Sequence, residues 1–107
     1  MQTHAGNHDL TLLRTALLLF CTVLASCAAA PPVQEMSDAR QAINAAREAN
    51  ASNLAPATLR KAEESLDEAT RNLEQRHYLD AREAAKEAKL HAIRARDEAL
   101  ATPVSKP

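Results

Sequence analysis

From Tyr78 to Ala99 an apolar residue returns at every third or fourth position. After Tyr78 each of them is alanine: Ala81, Ala85, Ala88, Ala92, Ala95 and Ala99. That spacing lays one narrow stripe along one side of an α-helix. Since the stripe is made of methyl groups, a second helix can approach it closely, toward the ~8 Å end of the usual interaxial range. Two other stretches are patterned to meet it. Leu59, Ala62, Leu66, Ala69 and Leu73 recur at alternating steps of three and four, the seam of paired helices. Ala39, Ala42, Ile43, Ala46 and Ala49 share one face of a shorter stretch. A seven-residue repeat predicts near-antiparallel helices with a shallow left-handed crossing. The expected fold class is therefore all-α: an antiparallel helical hairpin with a shorter first helix, forming a three-helix bundle with alanine-rich heptad seams.

Capping signals set the expected boundaries. The first helix runs from about Ser37 to Asn50, with Ser37 as cap and Asp38 in the first turn, where the helix dipole favours an acid. Asn50-Ala51-Ser52-Asn53 is the break, and asparagine is the natural residue to leave a helix where no glycine is available. The second helix begins near Ala55-Pro56, since proline suits a first turn. A turn lies around Gln75-Arg76-His77. The third helix runs from Tyr78 to Ala101 and is stopped by Pro103.

The third helix carries a second apolar strip. Leu79, Leu90, Ile93 and Leu100 fall within about 80° of one another and about 140° from the alanine seam at 100° per residue. Arg82, Lys86 and Asp97 interrupt the strip. The first helix is expected to cover it and close the bundle. The alternative is an exposed surface that binds another helix, from a second copy or from an envelope protein.

Upstream, Arg14 precedes an apolar run, Ala16 to Val23, that ends in Leu24-Ala25-Ser26-Cys27. A cationic start, a short apolar middle and a small-residue end make a secretory signal. The stretch is too short, and too soon followed by Pro31-Pro32, to read as a spanning helix. Its ending resembles a bacterial lipobox. That resemblance implies a diacylglycerol on the Cys27 sulfur, cleavage just before Cys27 and acylation of the new amine. The plainer reading is an ordinary signal peptide cut after Ala30. Proteins of the lipobox kind stay in the inner membrane mainly when aspartate follows the cysteine. Here Ala28 follows, which implies the outer membrane, periplasmic face. The expected organisation is a signal peptide over residues 1–26, a lipidated tether over 27–36, a helical domain over 37–102 and a tail over 103–107. The tether reaches only ~30 Å when fully extended.

What the chain lacks excludes several classes. Its single glycine is Gly6, inside the signal. Phosphate loops, dinucleotide turns and nucleophile elbows need glycine where backbone meets ligand or adopts positive φ. The aromatics are Phe20 and Tyr78 alone, so no platform for stacking bases or sugars exists. Cys21 and Cys27 are the two cysteines. The first is discarded with the signal and the second is consumed by lipid, so no disulfide is expected. Net charge is −1, which gives no electrostatic case for nucleic acid or anionic lipid. Glu63 with Glu64, and Glu83 with Glu87, could be read as carboxylate pairs. They lie among Lys and Arg on solvated faces, whereas acid–base chemistry needs a cleft that separates pKa values. Glu87 and His91 share a face as zinc ligands can, and His77 sits in a turn, but a site needs three or four ligands. Ser37, Ser52, Ser65 and Ser105 have no base nearby. The expectation is a non-enzyme with no cofactor, no metal and no small-molecule substrate, acting in a structural or partner-binding role. Its partners are the membrane, through the lipid, and a second copy or an envelope protein, through the third helix. A tether to peptidoglycan is the alternative role. In the murein-lipoprotein manner it would need a terminal lysine, and here Lys106 is followed by Pro107.

Three runs carry a family resemblance: Pro31-Pro32-x-x-Glu35-Met36 with Ala39-x-x-Ala42-Ile43-x-x-Ala46; Leu54-Ala55-Pro56-x-x-Leu59-x-x-Ala62 with Leu66-x-x-Ala69; and Tyr78-x-x-Ala81-x-x-Ala84-Ala85-x-x-Ala88. In this order they resemble the domain of unknown function 4398. The resemblance implies a small helical lipoprotein of the bacterial envelope, of a kind sometimes joined to an OmpA-like peptidoglycan-binding domain, with no assigned catalytic residues. The chain departs from the pattern at Leu54, where an aromatic is usual, and at Asn50, where glycine is usual.

Overall fold

The computed structural model describes residues 3–28 and 30–103, with side chains described at 8–20 and 30–103. It divides into two units, Met1–Ala30 and Pro31–Pro107. The first unit is one helix, α1 (Thr3–Ala28). Leu10, Leu12, Leu13, Leu17, Leu18, Leu19 and Phe20 are all exposed on it. No helix among the described residues is long and apolar enough to cross a membrane.

The second unit contains α2 (Val33–Glu48), α3 (Ala51–Leu54), α4 (Pro56–Glu74) and α5 (Tyr78–Ala101). Helix α2 starts at Val33 rather than at the expected Ser37. Pro32 occupies the cap position, where a missing N–H costs nothing, and the Met36 N–H donates to the Pro32 carbonyl at 3.0 Å. Starting earlier brings Met36 into the core, at 2 % exposure. The buried seam of α2 is then Met36, Ala39, Ile43 and Ala46, a strict alternation of three and four. Ala42 and Ala49 are only partly buried beside it. Ser37 lies inside the helix and caps nothing.

Asn50 leaves α2 in the left-handed region, φ 66°, and its N–H donates to the Arg47 carbonyl at 2.9 Å. The expected break contains a single helical turn, α3, whose Ala51 is fully buried. Pro56 opens α4, as predicted. The α4–α5 turn is closed by Arg76 at φ 63°. The Arg76 N–H donates to the Leu73 carbonyl at 3.0 Å, and the His77 N–H to the Asn72 carbonyl at 2.8 Å. These are the two bonds of a Schellman cap, with arginine in the place usually held by glycine.

Helix α5 is the centre of the unit. It packs extensively against both α4 and α2, while α2 and α4 meet each other sparingly. Its buried face is Ala81, Ala84, Ala85, Ala88, Ala92, Ala95 and Ala99. Tyr78, expected in the seam, is half-buried at its edge. Ala84 is an addition to the predicted seam, and it widens the stripe enough for two neighbours. Among the described residues of this unit, the buried apolar side chains other than Pro32, Met36, Ile43 and Leu59 are all alanine. Each buried alanine contributes about one methyl group, against ~1.5–3 kcal/mol for a buried leucine. Helix propensity supplies part of the difference.

Candidate functional site

The position of α2 decides what α5 shows to solvent. Arg82 Nε of α5 pairs with Glu35 Oε1 of α2 at 3.0 Å, and Lys89 Nζ with Asp38 Oδ2 at 3.8 Å. On the opposite edge, Thr58 Oγ1 of α4 donates to Glu98 Oε2 at 2.8 Å. Both neighbours therefore lie along the alanine stripe, one on each side. The expectation that the first helix covers the aliphatic strip is not met. Leu79 and Leu100 are 68 % exposed and Leu90 is 64 % exposed, while Ile93 is half-buried. The physical reason is the width of the alanine face: close helix approach costs least there, and the Glu35 and Asp38 pairs hold α2 to it. Lys86 pairs within the helix to Glu83 at 3.3 Å, and Asp97 to Arg96 at 3.5 Å. Both are exposed pairs of small energetic weight. Val33, at the start of α2, is a further exposed apolar residue that sequence reading placed in the tether.

Glu35 has an altered proton affinity. Its carboxyl is held below its ordinary value of 4.5, first by a hydrogen bond to its own backbone. Partial burial opposes this, while the Arg82 hydrogen bond and the charges of Arg82 and Lys86 add to it. This is an inter-helix fastening. Sequence reading missed it because Glu35 was assigned to the tether; with Pro32 as cap, Glu35 falls in the first turn of α2.

Described residues line two open recesses. Because α2 and α4 meet sparingly, a groove of about 520 Å³ runs between them, over Ile43 and Leu66. Its walls carry opposite charges, Arg40 and Arg47 against Glu63 and Asp67, and Arg47 Nη2 already bridges it to Glu63 Oε1 at 2.6 Å. A shallower recess of about 260 Å³ is lined by Glu68, Asp80, Glu83 and Glu87. Among the described residues no group of His, Cys, Asp and Glu is placed to hold a metal ion. His77 is exposed at the start of α5. The His91 Nδ1 is buried without a hydrogen-bond partner on a half-buried residue. Ser37 and Ser65 are half-buried and Ser52 is exposed. Ser105, like Lys106, lies outside the described residues. So does the side chain of Cys27, the candidate lipidation site, although its backbone falls within α1.

The arrangement is that of an alanine-packed helical domain in which Glu35, Asp38, Arg47 and Thr58 pair across the helices with Arg82, Lys89, Glu63 and Glu98. Residues 34–103 match the profile of the domain of unknown function (DUF4398), and the chain belongs to that family. Neither curated proteins nor solved structures give a significant match.

Proposed function

We propose that this chain is a lipid-anchored, non-catalytic helical module with a structural or partner-binding role at the periplasmic face of the outer membrane. The observation that carries the reading is Leu24-Ala25-Ser26-Cys27 at the end of a short apolar run that follows Arg14. Two features support it. The apolar side chains described on α1 are exposed within their own unit, as a segment handled by export machinery and then removed requires. The folded unit begins at Pro31, so the tether between Cys27 and the first helix is only a few residues long and keeps the domain close to the bilayer. The outer face of α5 carries exposed apolar side chains, Leu79, Leu90 and Leu100, through which the module can meet a partner.

Cys27→Ala tests the anchor. The variant should incorporate no labelled palmitate, and the chain should either appear as a soluble periplasmic protein or stay uncleaved. Palmitate labelling equal to that of the unaltered chain would overturn the assignment.

A further inference from the structure

We propose that the outer face of α5 is the contact surface of a two-fold symmetric homodimer, in which the α5 helices of two copies lie antiparallel. This names the partner in the partner-binding role above and rests on that reading.

The row runs Lys86, Leu90, Ile93, Asp97, with Ile93 half-buried and the other three exposed, all four within about 60° on the helical wheel, roughly opposite the alanine stripe. The row is self-complementary in one orientation. A two-fold axis passing between His91 and Ala92 sets Leu90 of each copy against Ile93 of the other. One turn further out, the same axis sets Lys86 of each copy against Asp97 of the other. The centre is apolar and both flanks are opposite-charge pairs, the layout of an isologous contact. In a parallel pairing Lys86 would meet Lys86 and Asp97 would meet Asp97, and like charges in register repel.

The surface is available for this. Leu90 is 64 % exposed, and the side chains of Lys86 and Asp97 are 53 % and 62 % exposed. Their local partners, Glu83 and Arg96, are on the same helix, so dimerisation exchanges weak solvent-exposed pairs rather than breaking buried ones. One helix face about 36 Å long buries less than the ~1,200 Å² of a standard stable interface. The dimer is therefore weak in free solution and is populated where a shared surface raises the local concentration.

The test is a charge swap read by photocrosslinking in cells expressing the full chain, with a photoreactive residue at Leu90. The expected product is a covalent homodimer whose linked peptide comes from the α5 segment around Ile93 of the second copy. Lys86→Glu alone and Asp97→Lys alone should each lower dimer yield about tenfold, since each reverses two symmetry-related pairs. The combined Lys86→Glu, Asp97→Lys chain should recover it. The two positions lie about 16 Å apart along one helix, so recovery cannot arise within a single copy. Circular dichroism of each variant checks that the helices are intact. If the single changes leave the yield unaltered, or the combined chain fails to recover while still folded, the dimer is refuted. Crosslinking to a different protein and never to itself would also refute it, leaving the anchored partner-binding role standing. Dimer formation without palmitate on Cys27 would instead refute the anchor and leave the dimer.

Discussion

Two residues in the left-handed region do the work of glycines the domain does not have. Asn50 tolerates that geometry because its short amide bonds locally; here its Oδ1 accepts from Asn53 Nδ2 at 2.7 Å. Arg76 has no such compensation, and a non-glycine residue at positive φ costs ~1–2 kcal/mol. Arg76→Gly should therefore raise stability, by about 0.5–1 kcal/mol once the greater freedom of glycine in the unfolded chain is counted. A urea melt that shows no gain, or a loss, would mean the arginine side chain supplies a stabilising contact. Glu35 gives a pH signature of the start of α2, led by the hydrogen bond to its own backbone and added to by the Arg82 pair to α5. Its carboxyl is held below its ordinary value when folded, so the unfolded chain binds more protons in the acid range. The stability it contributes is complete above the ordinary carboxylate range and disappears as pH falls through the folded value. The advantage of the unaltered chain over Glu35→Gln should be present at neutral pH and shrink to nothing in the low carboxylate range, with salt weakening it throughout. An advantage independent of pH would show that the Arg82–Glu35 charge pair is not its source.

At the scale of elements, α5 has two faces with opposite demands. The alanine face must stay small. Ala88 is fully buried, and Ala88→Leu should destabilise the domain by roughly 1–3 kcal/mol through overpacking, lowering the thermal midpoint by about 4–8 °C for each of those kcal/mol. An unchanged or raised midpoint in a circular-dichroism melt would mean the contact is not close. The seams of α4 and α5 were largely legible in the sequence because a heptad spacing admits one solution: Leu59, Ala62 and Ala69 are buried as the spacing requires, while Leu66 and Leu73 are only partly buried. The start of α2 was less legible. Ser37-Asp38 is a good local cap, but Pro32 can serve as well, and burial of Met36 decides between them. The aliphatic strip was found as a pattern, yet its neighbour was not, because one sequence carries no record of which helix covers which side of another.

For the folded unit, α2 supplies what the hairpin lacks. Met36 and Ile43 are two of the three large side chains in the buried core, and both belong to α2. A chain beginning at Ala51 keeps the α4–α5 hairpin but retains Leu59 as its one large buried side chain among alanines. That chain should lose its cooperative melt and much of its helicity, whereas a chain beginning at Pro31 keeps both. A cooperative transition at the same midpoint without α2 would show that the alanine contact is sufficient alone. The amino-acid sequence by itself determined the all-helical class, the limits of α4 and α5, the asparagine break, the family and the candidate anchor at Cys27. Each of these depends on local periodicity, capping or a contiguous motif. Tertiary structure alone decided that α2 and α4 share the alanine stripe and that Leu79, Leu90 and Leu100 face outward. Those outcomes turn on the width of a face, which Ala84 extends, and on charge pairs between residues far apart in the chain, Glu35 with Arg82 and Asp38 with Lys89. Helical spacing within a segment fixes which residues share a side, but the choice of neighbour is made only when the helices compete for it.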